Sequence, residues 1–272
     1  MTIGSLFSGI GGLERGLEMC GLGPVRWQCD SDPCARAVLA QHWPEVKRFE
    51  DVREVARGKA ERVDIVCGGF PCQPVSVAGK RKAQRDTRWL WPHFASAIDA
   101  LRPSVVFIEN VPGLRTAGLR DVLADLAALG FDAEWGLFTA AHAGAPHRRR
   151  RLFILAYADG DGLRQQRRGL PGTEWPEAFV PGFNGPPWIA SDANREGRLQ
   201  PSGRLGVQWR WSRDGDRWAL ESPVPGVAHG VRRRMDRHRL TGNAVVPQQA
   251  ALAWRTLMAR IATTDHQGEP PP

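Results

Sequence analysis

Asp64-Ile65-Val66-Cys67-Gly68-Gly69-Phe70-Pro71-Cys72-Gln73-Pro74 reads as a short apolar strand running into a turn that presents one cysteine. Residues 63–67 are rich in β-branched side chains, and the glycine pair and two prolines that follow can continue neither a strand nor a helix. The chain must turn there. A Pro-Cys pair at the carboxyl end of a buried strand sits where open α/β sheets place their ligands, so Cys72 is expected to face a cleft. Taken alone, a free cysteine is more often a small buried hydrophobe. The rest of the chain has to decide between the two.

Upstream, residues 2–7 read as a strand, Ser8-Gly9-Ile10-Gly11-Gly12 as a tight loop and residues 13–20 as a helix closed by Gly21 and Gly23. The order is that of a nucleotide-binding unit, although the glycine spacing is not G-x-G-x-x-G and by itself names no cofactor. A second strand at 25–29 ends in Asp30-Ser31-Asp32, with an acidic residue where such folds hold a ribose hydroxyl pair. Residues 33–41 make the next helix, and Asp51-Val52 follows a third strand at 46–49.

Downstream, residues 76–88 carry Lys80, Arg81, Lys82, Arg85 and Arg88 against Asp86 alone, a basic loop beside the cysteine. Residues 89–101 are helical. A strand at 104–108 ends in Glu109-Asn110-Val111-Pro112-Gly113, placing a second reactive group at a strand's carboxyl end. A helix is expected at 119–129 and strands at 135–139 and 151–158. Between those strands lies Pro146-His147-Arg148-Arg149-Arg150-Arg151, where an extended backbone would turn Arg149 and Arg151 to one side. Residues 159–229 break into short pieces rich in Gly, Pro, Arg and Trp. Regularity returns at Leu240-Thr241-Gly242-Asn243-Ala244-Val245-Val246-Pro247, followed by a helix over 248–261.

Charge is distributed unevenly. Residues 1–146 hold 17 basic and 17 acidic side chains, residues 147–239 hold 18 and 10, so the formal +8 of the chain lies in the second stretch. All 18 of those basic residues are arginine, and Trp175, Trp188, Trp209, Trp211 and Trp218 fall among them. Guanidinium groups for phosphates and base edges, with flat rings for stacking, suit a nucleic-acid surface. Five cysteines with no C-x-x-C pair argue against a disulfide framework and a thiolate metal site. No apolar run reaches membrane-spanning length and no signal-type segment opens the chain, so a cytoplasmic, reduced protein with no metal is expected.

In this order the pieces resemble the DNA (cytosine-5) methyltransferases of bacterial or phage type. Phe7-Ser8-Gly9-Ile10-Gly11-Gly12 is similar to the family's first motif, which wraps S-adenosylmethionine. Asp30 stands where the family has a glutamate on the ribose, Asp51-Val52 where adenine is recognised, and Leu90 where a leucine lines the cofactor site. Gly69-Phe70-Pro71-Cys72-Gln73-Pro74 resembles the nucleophile motif, with Pro71 beside the cofactor, and Glu109-Asn110-Val111 the acid motif. The arginine segment matches Pro-Gln-x-Arg-x-Arg with His147 in place of glutamine. Gly242-Asn243-Ala244-Val245 matches the closing motif, from which Asn243, Ala244 and Val245 complete the cofactor pocket. The threonine-containing motif that usually precedes it is not recognisable; residues 213–221 are at best a remnant.

The resemblance implies an α/β, Rossmann-like S-adenosylmethionine-dependent methyltransferase fold with a mostly parallel sheet and a small irregular target-recognition lobe. Residues 1–158 would form the catalytic and cofactor-binding domain, 159–229 the recognition lobe, 230–262 a closing segment and helix, and 263–272 a disordered tail. It also implies the chemistry. Carbon 5 of cytosine is a poor nucleophile, so the Cys72 thiolate would add to carbon 6. Glu109 would protonate N3, Arg151 hold O2, and Arg149 order the cysteine loop or a phosphate. The target base must leave the duplex first. The partner expected is double-stranded DNA, bound by a monomer, with a cognate restriction endonuclease left open as a genetic partner. A catalytically silent DNA-binding relative and an RNA cytosine methyltransferase stay open beside this reading.

Overall fold

The computed structural model of the chain describes residues 1–71, 89–145, 147–158, 208–211, 218–221 and 244–266. Cys72, the basic loop at 76–88, Pro146, Asn243 and all of 159–229 except two short strands lie outside the described residues.

Five parallel strands, β1 (Ile3–Leu6), β2 (Val25–Cys29), β3 (Lys47–Phe49), β4 (Ile65–Gly68) and β5 (Val105–Asn110), are joined by β6 (Phe131–Phe138) and β7 (Arg151–Ala158). The sheet runs in the order β3-β2-β1-β4-β5-β7-β6, and β7 is antiparallel to both of its neighbours. This is a Rossmann-like methyltransferase architecture: a mostly parallel sheet whose order reverses between β1 and β4, which opens a crevice at the strands' carboxyl ends. The central strands β1, β4 and β5 are buried throughout because both faces of the sheet are covered there. One face packs against α3 (Val52–Ala56), α4 (Trp91–Leu101) and α6 (Leu119–Ala128), around Trp91, Phe94, Ile98 and Val122. The other packs against α1 (Gly12–Glu18) and the last helix, α7 (Pro247–His266), around Leu17, Phe107, Phe153 and Trp254. The helices α2 (Pro33–His42) and α5 (Leu114–Ala117) complete the set.

Local chemistry explains the boundaries. Asp32 caps α2 by accepting from the Cys34 amide at 2.9 Å, with Pro33 at the first helical position. Asp51 caps α3 by accepting from the Arg53 amide at 2.9 Å. Three sequence expectations are corrected. Strand β5 continues through Glu109 and Asn110 instead of ending before them, because β7 pairs with both residues. Helix α7 runs on to His266, into the stretch expected to be a disordered tail, since the first helix breaker after it is Gly268. The backbone at 208–211 and 218–221 forms an antiparallel pair inside the stretch read as irregular.

The helix α7 buries Ala250, Ala251, Ala253, Trp254, Leu257, Met258 and Ile261. Full burial of one large apolar side chain stabilises by about 1.5–3 kcal/mol, so removing residues 240 to 272 would open a whole core face. A finer perturbation of its contact with α1 is available. A Cβ built on Gly12 would lie 2.3 Å from the Val245 carbonyl oxygen, a backbone atom that cannot swing aside. Overpacking of this kind costs about 1–3 kcal/mol. Gly12→Ala is therefore expected to weaken S-adenosylmethionine binding about tenfold, read by calorimetry on folded protein. Unchanged affinity would detach the closing segment from the cofactor site.

Candidate active site and cofactor pocket

At the carboxyl ends of β1, β2 and β3, a pocket of about 360 Å³ is lined by Phe7, Cys29, Asp30, Ser31, Glu50, Asp51, Val52, Arg53, Leu90 and His93. Five residues expected from sequence to bind the cofactor therefore meet: Phe7, Asp30, Asp51, Val52 and Leu90. Asp30 is shaped for its place. Its Oδ2 accepts from the Gly9 amide at 2.7 Å and its Oδ1 from the Asp32 amide at 2.8 Å, while burial pushes its pKa up against those two bonds. Arg36 holds the same turn by donating to the Asp30 and Ser31 carbonyls, each at 2.9 Å. Asp32, two residues on, is engaged as the α2 cap.

Gly9 has φ +56°, and a Cβ there would project into open space, so the loop's backbone is left accessible at that point. Ser8 is not accessible in the same way. Its hydroxyl is buried 2.9 Å from Ser5 Oγ and accepts from the Cys29 amide at 3.3 Å, so this side chain braces the loop from below. Ile10 and Gly11 complete the turn into α1. Val245 meets the loop through Gly12, and neither it nor Ala244 lines the pocket. Asp51 is paired with Arg53, whose Nη2 lies 2.6 Å from Oδ2, and its pKa is lowered chiefly by that hydrogen bond. An apolar wall of Phe7, Val52 and Leu90 with carboxylates at its rim fits an adenosine group.

The second constellation lies at the carboxyl end of β5. The Glu109 carboxyl is 7% exposed, and Arg151 Nε lies 2.9 Å from its Oε1. Burial pushes the Glu109 pKa up and outweighs the downward pull of Arg151 and Arg149. A carboxyl so placed holds its proton to higher pH than an exposed one does. The two arginines reach this carboxyl without the alternation expected of them. Residues 147–150 are not a strand, Arg149 has φ +26°, and β7 begins only at Arg151. The turn brings both guanidinium groups into the field of Glu109. His147 lies beside them, its pKa lowered by burial and then by Arg149.

Cys72 is outside the described residues, but the chain leading to it is held. Asn110 Nδ2 donates to the Phe70 carbonyl at 3.0 Å, and the Val111 amide donates to Asn110 Oδ1 at 2.8 Å. The end of β5 thus fixes the residue before Pro71, the last one described ahead of the cysteine. Cys67 offers no alternative nucleophile: it is wholly buried on the α1 face, and burial pushes its thiol well above the ordinary range. Sequence reasoning quoted Asn110 only as part of a motif and missed His93, Arg36 and Gln249. His93 alone had a local signal, three residues after Leu90 and so on the same side of α4.

Residues 1–178 match the family model for C-5 cytosine-specific DNA methylases. The chain belongs to this family. Dependence on S-adenosylmethionine is characteristic of the family, in agreement with the pocket. The chain is 33% identical over 166 residues to the type II methyltransferase M.NgoBV of Neisseria gonorrhoeae, covering 55% of this chain and 39% of that one. It is 31% identical over 218 residues to M2.BsuMI of Bacillus subtilis, covering 77% and 54%. It thus spans about half, or less, of these relatives' length. Among solved structures, a prophage-encoded protein of E. coli superposes with TM-score 0.50 at 26% identity, over 60% of this chain and 48% of that one. Among the described residues no helix is long and apolar enough to cross a membrane, and no cluster of His, Cys, Asp and Glu could hold a metal ion.

Proposed function

We propose that this methylase family member methylates carbon 5 of a cytosine flipped out of duplex DNA, through a covalent bond between Cys72 and carbon 6. The observation that carries the reading is the buried Glu109 carboxyl, raised in pKa and paired with Arg151 at the end of β5, next to the strand end from which Cys72 follows. When bound, S-adenosylmethionine supplies a methyl group on a sulfonium leaving group. Phe7, Leu90, Val52, Asp30 and Asp51 would hold its adenosine part, and the loop from Ser8 to Gly12, with Asn243, Ala244 and Val245, would hold the remainder.

The thiolate of Cys72 forms the bond to carbon 6, and the electron pair displaced from the ring takes the Glu109 proton at N3. Carbon 5 then carries enamine density and accepts the methyl group. Loss of the carbon 5 proton to a base, with return of the N3 proton to Glu109, breaks the sulfur–carbon bond and frees Cys72. Arg151 donates to the base's O2 while keeping Glu109 in place, and Arg149 fixes the surrounding turn. Pro71 closes the strand end against the cofactor side. The tryptophan-rich stretch at 159–229 reads the target: it holds Trp175, Trp188, Trp209, Trp211 and Trp218 with nine arginines balanced by nine acidic residues, and the chain's net positive charge flanks it at 147–158 and 230–239.

Bisulfite sequencing of DNA from cells expressing the protein is expected to show protected cytosines within one short recurring sequence. Protection confined to cellular RNA would overturn the DNA reading and retain the chemistry. No protected cytosine in either would remove the activity.

A further inference from the structure

Gln249, the third residue of α7, is wholly buried, and its side-chain amide nitrogen donates to two backbone carbonyls at once. One is Phe138 O at 2.9 Å, at the end of β6, and the other is Arg149 O at 2.8 Å. Its Oε1 has no partner among the described residues, so the side chain is placed for donation. The segment it grips is under strain. Arg149 is a non-glycine residue at φ +26°, a conformation that persists only where the surroundings over-determine it. The same stretch is also fastened by the Ala140 amide, which donates to the Arg148 carbonyl at 2.8 Å.

We propose that Gln249 is a positioning residue for methyl transfer, through which the closing helix sets the arginine turn. The inference rests on Arg149 and Arg151 holding the target base and Glu109. One residue, Arg150, separates the gripped residue from Arg151, whose guanidinium meets Glu109 at 2.9 Å. Without the donor, the Phe138 and Arg149 carbonyls each lose a hydrogen bond and the left-handed turn loses a restraint, so Arg149 and Arg151 drift from the acid. The closing segment therefore acts on both sides of the site: at the loop by way of Val245 and Gly12, and at the catalytic arginines by way of Gln249 of α7.

Gln249→Met keeps the length and removes the donor. In the full chain, kcat is expected to fall about tenfold to a hundredfold, as for a small displacement of catalytic groups. The Kd for S-adenosylmethionine, read by calorimetry, should stay within about twofold. The yield of covalent complex on a 5-fluorocytosine duplex should fall with kcat. A variant that loses thermal stability but turns over normally per folded molecule would overturn the proposal, because that is a purely structural role. Loss of cofactor affinity in step with kcat would overturn it as well, by placing the effect in the cofactor pocket. If the methionine variant does not accumulate folded, Gln249→Asn, which keeps the donor one methylene short, is read by the same criteria. Arg149→Ala and Arg151→Ala run alongside: full turnover in both would overturn the underlying reading of the arginines, whatever Gln249 does.

Discussion

Mixed with S-adenosylmethionine and a duplex carrying 5-fluorocytosine in place of cytosine, the protein is expected to finish as a covalent complex that survives a denaturing gel. Fluorine at carbon 5 cannot leave as a proton does, so once the methyl group has been transferred the Cys72–carbon 6 bond has no route to elimination. The complex should require the cofactor, because trapping follows transfer. Cys72→Ser should abolish it and lower turnover by roughly 10³-fold or more while leaving DNA binding in place, since a hydroxyl ionises far less readily than a thiol near neutral pH. Glu109→Gln should slow its formation about 10²-fold, the usual scale for a general acid. Here the raised pKa gives a specific signature: wild-type trapping should fall as pH rises through the Glu109 value, which lies above the ordinary carboxyl. A complex that persists in Cys72→Ser would move the nucleophile, and Cys67 could not replace it from the core.

Protein stability is expected to decline between pH 5 and pH 8 through one residue remote from the chemistry. Glu14 is wholly buried in α1. Gln28 Nε2 donates weakly to its Oε1 at 3.4 Å, and its Oε2 has no partner among the described residues. Burial pushes its pKa up to about 7, against smaller lowering by its own backbone amide, Ser5, Gln28 and Ser8. In the unfolded chain the carboxyl returns to about 4.5. The folded state therefore binds more protons between these values, and stability falls as pH rises through the interval. At 1.36 kcal/mol per pKa unit the loss is about 3 kcal/mol, complete above pH 7. Glu14→Gln removes the charge and keeps the shape. Urea unfolding should show it close to wild type near pH 4.5 and about 3 kcal/mol more stable at pH 8. A difference independent of pH would show that Glu14 is already ionised in the fold.

Much of the site is legible in the chain because it is punctuated locally. Asp30, Asp51 and the Pro71-Cys72 pair each follow a short strand, and a parallel sheet gathers such strand ends on one edge. Cofactor residues up to 83 positions apart, Phe7 and Leu90, thus belong to one pocket. Other features were illegible for equally physical reasons. Ser8 stands in the cofactor motif, but its hydroxyl turns inward to Ser5 because β1 and β2 leave an amide and a hydroxyl to satisfy there. Glu14 sits in a helix among Arg15 and Glu18 and reads as one more charge on a solvated face; only the packing of α1 over Gln28 and Cys67 buries it.

The sequence by itself determined the order of the strand ends, and hence the places of the glycine loop, of Glu109 and of the residues leading to Cys72, because short strands and the breaks between them are set by neighbouring residues. Tertiary structure alone decided how the arginines reach that edge. A strand presents its carboxyl end to the cleft when it runs with the sheet, and Arg151 stands at the amino end of β7. It reaches Glu109 because β7 runs against β5, pairing Leu152 with Asn110 and Phe153 with Glu109. Strand direction is fixed by pairing between residues far apart in the chain, and so is the grip of Gln249 on the Arg149 carbonyl, 100 positions away.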